Sequence, residues 1–176
     1  KRRKSVDEKT VDIGLPVCKG MRGGGIHKGY ITLLVAPSNF GKTAISVHCG
    51  GSSVENGYKV AHITLETDLD DVRFRYDSRL SGIYMDDLYQ ADDDILTSVE
   101  NLKSKYGDPL HFAHFSPLTL TPNKIRSFLN YLLSEKKFRP DLLIIDSVDD
   151  LAPDGGRTGN NNNDFDLIFV GLMGIG

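Results

Sequence analysis

Four consecutive aliphatic residues, Leu142-Leu-Ile-Ile145, followed by Asp146, constrain the fold of this 176-residue chain more than any other feature. A strand in which every residue is apolar must be covered on both faces, which is typical of a central strand in a parallel sheet. Parallel strands need long crossover connections, and these are usually helices. The run therefore predicts an α/β fold with helices packed on both faces of the sheet.

Strand-like and helix-like segments alternate along most of the chain. β-prone runs predict strands at 30–35, 59–65, 110–115 and 142–145, and the helical spacing of apolar residues predicts helices at 43–55, 69–83, 95–106 and 122–133. Thr121 followed by Pro122 is a typical helix start, because a capping hydroxyl precedes a proline at the first helical position. This alternation indicates one α/β domain with a mainly parallel β-sheet flanked by helices.

Charge and cysteine content narrow the class of protein. The chain carries 21 Lys and Arg against 24 Asp and Glu, a net charge of -3, so any contact with nucleic acid or an anionic membrane must be local. Cys18 and Cys49 are not spaced like metal ligands or like the disulfide framework of a secreted domain. No apolar run approaches the length of a membrane span, so we expect a cytoplasmic protein that does not enter a membrane.

Composition changes towards both ends of the chain. Residues 1–19 begin with the basic run Lys1-Arg-Arg-Lys4, and we interpret them as a linker or N-terminal extension. Residues 20–153 carry the alternating pattern and form the predicted domain. Gly, Asn and Asp dominate after Pro153, with four consecutive asparagines at 160–163, so 154–176 is predicted to be a loop with one further strand at 166–171.

The strongest functional motif is Ala36-Pro-Ser-Asn-Phe-Gly-Lys-Thr43, which lies between a predicted strand and a predicted helix. This is the context of a phosphate-binding loop, whose backbone amides and helix N-terminus attract anions. Lys42 would reach the β- and γ-phosphates, and the Thr43 hydroxyl would bind Mg²⁺. Ala36 replaces the usual first glycine, which is tolerable if its φ stays negative; the alternative is a purely structural turn. The predicted loop comprises Ala36, Pro37, Ser38, Asn39, Phe40, Gly41, Lys42 and Thr43.

Two carboxylates follow predicted strands. Asp146 ends the aliphatic run at the edge of the sheet where open parallel sheets bind ligands, and we predict that it holds Mg²⁺ through water. Glu66 follows the strand at 59–65 and could orient and deprotonate an attacking water molecule. The alternatives are a turn-forming role for Asp146 and a helix-capping role for Glu66.

With these elements in order, residues 20–153 resemble the RecA-like ATPase domain of DnaB-type replicative helicases, particularly those of tailed phages. Besides the loop, the similarity includes Met21-Arg-Gly-Gly-Gly-Ile-His-Lys-Gly29, Asn56-Gly-Tyr-Lys-Val60, Ile63-Thr-Leu-Glu66 and Pro140-Asp-Leu-Leu-Ile-Ile-Asp146. The resemblance implies a RecA-like P-loop NTPase core. It also implies Lys42 and Thr43 at the phosphates and Mg²⁺, Glu66 as catalytic base, and Asp146 at the metal.

Such helicases are ring hexamers that hydrolyse nucleotide between subunits while moving along single-stranded DNA. The resemblance implies ATP and Mg²⁺ as ligands, and it implies a homo-hexamer, single-stranded DNA at a replication fork and primase as partners, in a bacterial or phage-infected cytoplasm. The family pattern is not matched after Pro153, where a glutamine sensor, DNA-binding loops and an arginine finger are expected, so we interpret the core as incomplete at its C-terminus. Two alternatives stay open: a RecA-like ATPase of recombination or clock type, and a truncated nucleotide-binding fragment without catalysis.

Overall fold

The computed structural model describes residues 10–20, 23–37 and 40–175. In these residues a central sheet of three parallel strands is formed by β3 (Val60–Thr64), β4 (Leu110–His114) and β5 (Leu142–Asp146), in the order β4-β3-β5. A separate antiparallel pair joins β1 (Thr10–Val11) to β2 (Ile26–His27). The prediction of an α/β fold with a parallel sheet is confirmed.

Six helices connect and cover the strands in the described part of the chain. They are α1 (Pro16–Lys19), α2 (Lys42–Glu55), α3 (Leu69–Ser81), α4 (Asp92–Tyr106), α5 (Pro122–Ser134) and α6 (Asn161–Met173), with 3₁₀ turns at Met85–Gln90 and Val148–Asp150. The predicted start of α5 is confirmed, because the Thr121 side chain caps it and Pro122 opens it. No helix of the described residues is long and apolar enough to cross a membrane.

The central strand β3 is buried along its whole length, so both faces of the sheet carry a core. On one face Ile63 packs with Ile125 of α5 and Ile168 of α6. On the other face Val72 and Tyr76 of α3 pack with Val47 of α2. The all-apolar run of β5 predicted the central strand, and this prediction is wrong: among the described residues β5 lies half-buried at the edge of the sheet, because no described segment pairs with its other side. The central strand is β3, which includes His62 and Thr64.

One buried polar pair joins the sheet to a helix: His62 of β3 and Tyr76 of α3. His62 is 0% exposed, and its Nδ1 atom lies 2.9 Å from the Tyr76 hydroxyl, while no described residue bonds its Nε2 atom. Burial lowers the pKa of His62 to about 4 and raises the pKa of the Tyr76 hydroxyl. The same hydroxyl explains Gly50 in the middle of α2, because a Cβ atom there would overlap Tyr76.

The predicted strand at 30–35 is wrong. This segment has no regular secondary structure, and Tyr30 and Val35 are 77% and 79% exposed. A strand needs a neighbour for its backbone hydrogen bonds, and the described sheet ends at β5 without pairing to this segment. High β-propensity therefore does not produce a strand here.

The predicted strand near the C-terminus is also wrong, because residues Asn161–Met173 form α6, and the predicted loop is confirmed only at 154–160. The asparagine run supplies the helix start: the Asn160 side chain accepts a hydrogen bond from the Asn162 amide at 3.0 Å. Ile168 then packs into the core against α5. Hydrogen bonds from the Thr158 hydroxyl and amide hold the pKa of the Asp164 carboxyl below its usual range and tie the preceding loop to α6.

Candidate functional site

Two candidate carboxylates, Glu66 and Asp146, lie at the carboxyl ends of the parallel strands. Thr64, which ends β3, lies in register with Asp146, which ends β5, and the Leu65 amide donates to the Asp146 carbonyl at 2.8 Å. Glu66 follows immediately, so the two predicted carboxylates share one edge of the sheet. Lys42, the first residue of α2, lines the same groove as Asp146. This edge is the usual ligand-binding side of open parallel sheets.

The predicted phosphate loop leads into the N-terminus of α2. Ala36, Pro37 and Phe40 lie in irregular backbone and Gly41 is the N-cap of the helix, whereas Ser38 and Asn39 lie outside the described residues. Gly41 has φ 79°, a left-handed conformation that favours glycine. The φ of Ala36 is not positive, since the described non-glycine residues with positive φ are Leu118 and Lys137. The methyl group of Ala36 is therefore tolerated, as its place in the motif requires.

Lys42 turns its side chain back onto the loop. Its Nζ atom donates to the Ala36 carbonyl at 3.2 Å. The first amides of α2 have no acceptor within the helix, and the helix dipole gives that end partial positive charge. The ammonium group and the helix N-terminus therefore lie together, which suits a multiply charged anion such as a polyphosphate.

Asp146 offers an oxygen atom that has no partner. The residue is half-buried, and its Oδ2 atom is buried without a hydrogen bond to any residue that the structure describes. A buried carboxylate oxygen without a hydrogen-bond donor is costly unless a ligand binds it.

Thr43, in the first turn of α2, is half-buried as well. No group of three or more His, Cys, Asp or Glu side chains suited to a metal occurs among the described residues. This donor set suits Mg²⁺, which proteins commonly hold by one or two side chains together with phosphate and water.

Glu66 lies in the turn between β3 and α3 and is exposed. The capping carboxylate of α3 is that of Asp68, which accepts from the Asp70 amide at 2.8 Å, so the cap is not Glu66. The Thr64 hydroxyl donates to the Thr67 carbonyl at 2.7 Å and closes the turn around Glu66. Sequence reasoning missed Thr64; its only sign in the sequence is a hydroxyl near the end of an apolar strand.

A groove with a volume of about 1050 Å³ runs from this site along the open edge of β5. Its walls are the segment 28–34, one side of α2, the strand β5 and the end of α6. Cys49 of α2 also lines it, and burial raises the pKa of that thiol to about 11, so it stays protonated near neutral pH. A protonated thiol is a poor nucleophile and a poor metal ligand.

Comparison with solved structures identifies a similar fold in a DnaB-like replicative helicase, described together with its interactions with primase. The match has a TM-score of 0.60 at 16% identity and covers 78% of this chain. It covers 33% of the helicase chain, so the present chain spans about a third of that protein's length. No protein-family model matches the sequence, and no curated protein matches it. At this identity the likeness shows the fold alone, which is RecA-like α/β.

Proposed function

We propose that this chain forms the ATP-binding and ATP-hydrolysing motor domain of a hexameric replicative DNA helicase. The observation that carries the proposal is the placing of the Lys42 ammonium and the buried, unpartnered Asp146 oxygen on one groove. That groove begins at a helix N-terminus on the ligand-binding edge of a RecA-like sheet. The DnaB-like fold supports the helicase class, and the chain covers only part of such a protein.

The loop and the start of α2 would bind the nucleotide. The Lys42 ammonium now bonds a neutral carbonyl oxygen of Ala36, and a phosphate oxygen, being charged, is a stronger acceptor. The ammonium would therefore exchange Ala36 for the β- and γ-phosphates of ATP. Backbone amides at the N-terminus of α2 would bond the same phosphates.

The residues present fit a bound Mg²⁺. The Thr43 hydroxyl and the free Asp146 oxygen would hold it, with Asp146 acting through a water molecule. The ion would neutralise charge on the phosphate oxygens when bound.

Hydrolysis joins the oxygen of a water molecule to the γ-phosphorus and breaks the bond from that phosphorus to the bridging oxygen, giving ADP and phosphate. Glu66 would accept the proton that the water loses, as its position at the sheet edge suits. An arginine supplied by a neighbouring subunit would complete the site, and such a residue accelerates comparable reactions by roughly 10³- to 10⁵-fold. We therefore expect this chain alone to hydrolyse ATP slowly and to unwind no DNA.

Assembly and partners follow from the same proposal. A hexameric ring would bring the second subunit's arginine to each site, and single-stranded DNA at a fork would be the track. Primase is proposed as a partner because the similar helicase is described with primase interactions. The net charge of -3 means that DNA contact would depend on local basic loops.

Calorimetric titration with Mg-ATP tests the site. Lys42→Ala should weaken binding at least tenfold while the circular dichroism spectrum stays unchanged. Lys28→Ala is the matched control, because Lys28 lines the same groove but pairs with Asp141 beside the start of β5, at 2.8 Å. Equal affinity of Lys42→Ala and the native chain, or equal losses in both variants, would refute the phosphate-site assignment.

A further inference from the structure

We infer that Thr64 is a positioning residue for Glu66, because its buried hydroxyl fixes the turn that carries the Glu66 carboxylate. The inference rests on the proposed function, in which Glu66 accepts the proton of the attacking water. Thr64 does not contact the nucleotide in this proposal. It acts only by holding the shape of the turn at 64–67.

The Thr64 side chain is fully buried. It is 0% exposed and lies in register with Asp146 of β5 and His114 of β4, on the face of β3 opposite to Ile63 and Leu65. A buried hydroxyl is tolerated when it is hydrogen-bonded. The Thr64 hydroxyl meets that need by donating to the Thr67 carbonyl at 2.7 Å, three residues along the chain.

Both ends of the turn are anchored by other contacts. Before Glu66, the Leu65 amide donates to the Asp146 carbonyl at 2.8 Å, and after it Asp68 caps α3. Among the residues that the structure describes, the Thr64 hydroxyl makes the one hydrogen bond that crosses the turn between these anchors. Removing the hydroxyl would free the backbone of residues 66 and 67 while leaving the strand and the helix in place.

Glu66 depends on this backbone for its position. Its side chain is exposed, and the structure records no hydrogen bond or ion pair between its carboxylate and another described residue. Among the described residues, the turn therefore sets where the Glu66 side chain leaves the backbone relative to the sheet edge and Asp146. A general base must lie within hydrogen-bond reach of its proton, and displacement of a catalytic group by about 1 Å can cost on the order of 10²-fold in rate.

Three variants separate positioning from stability. Thr64→Val keeps the shape of the side chain and removes the donor, and Thr64→Ser keeps the donor. Ser53→Ala is the control, because Ser53 is also 0% exposed and donates to a backbone carbonyl, that of Cys49 at 2.8 Å, but lies near the far end of α2. If Thr64→Val does not fold, Thr64→Cys serves instead, since a thiol is a weaker donor than a hydroxyl.

The first measurement is amide hydrogen exchange of residues 66 and 67 in the nucleotide-free chain. Exchange should become at least tenfold faster in Thr64→Val, return to the native rate in Thr64→Ser and stay unchanged in Ser53→Ala. The second measurement is hydrolysis of Mg-ATP with the protein in excess, so that slow single turnovers are seen. Thr64→Val should lower the rate by roughly 10- to 100-fold, with ATP affinity within about twofold of the native chain.

Unchanged exchange in Thr64→Val would overturn the inference, because the hydroxyl would then not hold the turn. Faster exchange with native turnover would overturn it as well, because the turn would then not position Glu66. Glu66→Gln, assayed beside these variants, distinguishes the two proposals. Native turnover in Glu66→Gln would refute the catalytic role of Glu66 itself, whereas a loss in Glu66→Gln without one in Thr64→Val would refute only the role of Thr64.

Discussion

Lowering the pH from 7 to 5 should reduce the free energy of unfolding by about 2 kcal/mol through His62 alone. The pKa of His62 is about 4 in the folded chain because the ring is buried. In the unfolded chain it takes its ordinary value near 6.5. Between these two values the unfolded state binds a proton that the folded state does not. The contribution of the neutral His62 ring to the free energy of unfolding is therefore complete above about pH 6.5, and it is lost as the pH falls towards 4.

The magnitude follows from the two values of the pKa. Their difference corresponds to about 3 kcal/mol when the pH lies well below both, and roughly two thirds of it has been lost by pH 5. Urea unfolding at pH 7 and at pH 5 measures the loss. Acidic side chains contribute to the same pH dependence, so the native chain is compared with His62→Gln, which removes the titrating group, and with His27→Gln, which removes an exposed histidine.

The His62→Gln variant should lose about 2 kcal/mol less than the native chain between the two pH values, and His27→Gln should behave like the native chain. If His62→Gln is too unstable to measure, the ring protons of His62 in the native chain supply the test by NMR. They should show no titration between pH 7 and 5. Equal losses in all three proteins, or a His62 titration centred near pH 6.5, would refute the reasoning.

Three further outcomes are expected. Glu66→Gln should keep ATP binding and lower turnover by ~10²- to 10⁴-fold in single-turnover hydrolysis, because the amide cannot accept the proton; native turnover would contradict this. Asp146→Asn should weaken ATP binding more with Mg²⁺ than without it, and equal calorimetric losses would point to a structural role. Gly50→Ala should lower the free energy of unfolding by ~1–3 kcal/mol, because the new methyl group overlaps the Tyr76 hydroxyl. Gly51→Ala, which meets the flexible Arg79 side chain, should cost less in the same urea titration.

The elements that the sequence predicted well are those that local pattern decides. The helices α3 and α5 and the strand β5 begin and end near their predicted limits, because caps and apolar periodicity act over a few residues. The segment 30–35 and the helix α6 depend on distant parts of the chain. A β-prone run becomes a strand only beside a partner, and an asparagine run becomes a helix cap only when the following residues find a core.

In the candidate site, too, local sequence pattern predicted some features and the packing of the whole chain decided the others. Because parallel strands end at one edge, the sequence pattern was enough to place Glu66 and Asp146 after strands that end at the same edge of the sheet. It was not enough to predict the Lys42 contact with Ala36, the unpartnered Asp146 oxygen or the Thr64 hydrogen bond. These depend on side-chain directions and on distances of a few ångströms, which appear only once the chain has packed.

Core packing and site geometry are linked through the register of β3 with β5. Ile63 lies opposite Ile145, and Thr64 lies opposite Asp146. A slip by one residue would turn every side chain of one strand to the other face and shift Asp146 by about 3.3 Å along the sheet. The slip is resisted because Ile63 would leave the core it shares with α5 and α6, and His62 would leave Tyr76. The buried residues of β3 therefore hold the ends of β3 and β5 in register at this edge, and we expect core substitutions in β3 to act on the site as well as on stability.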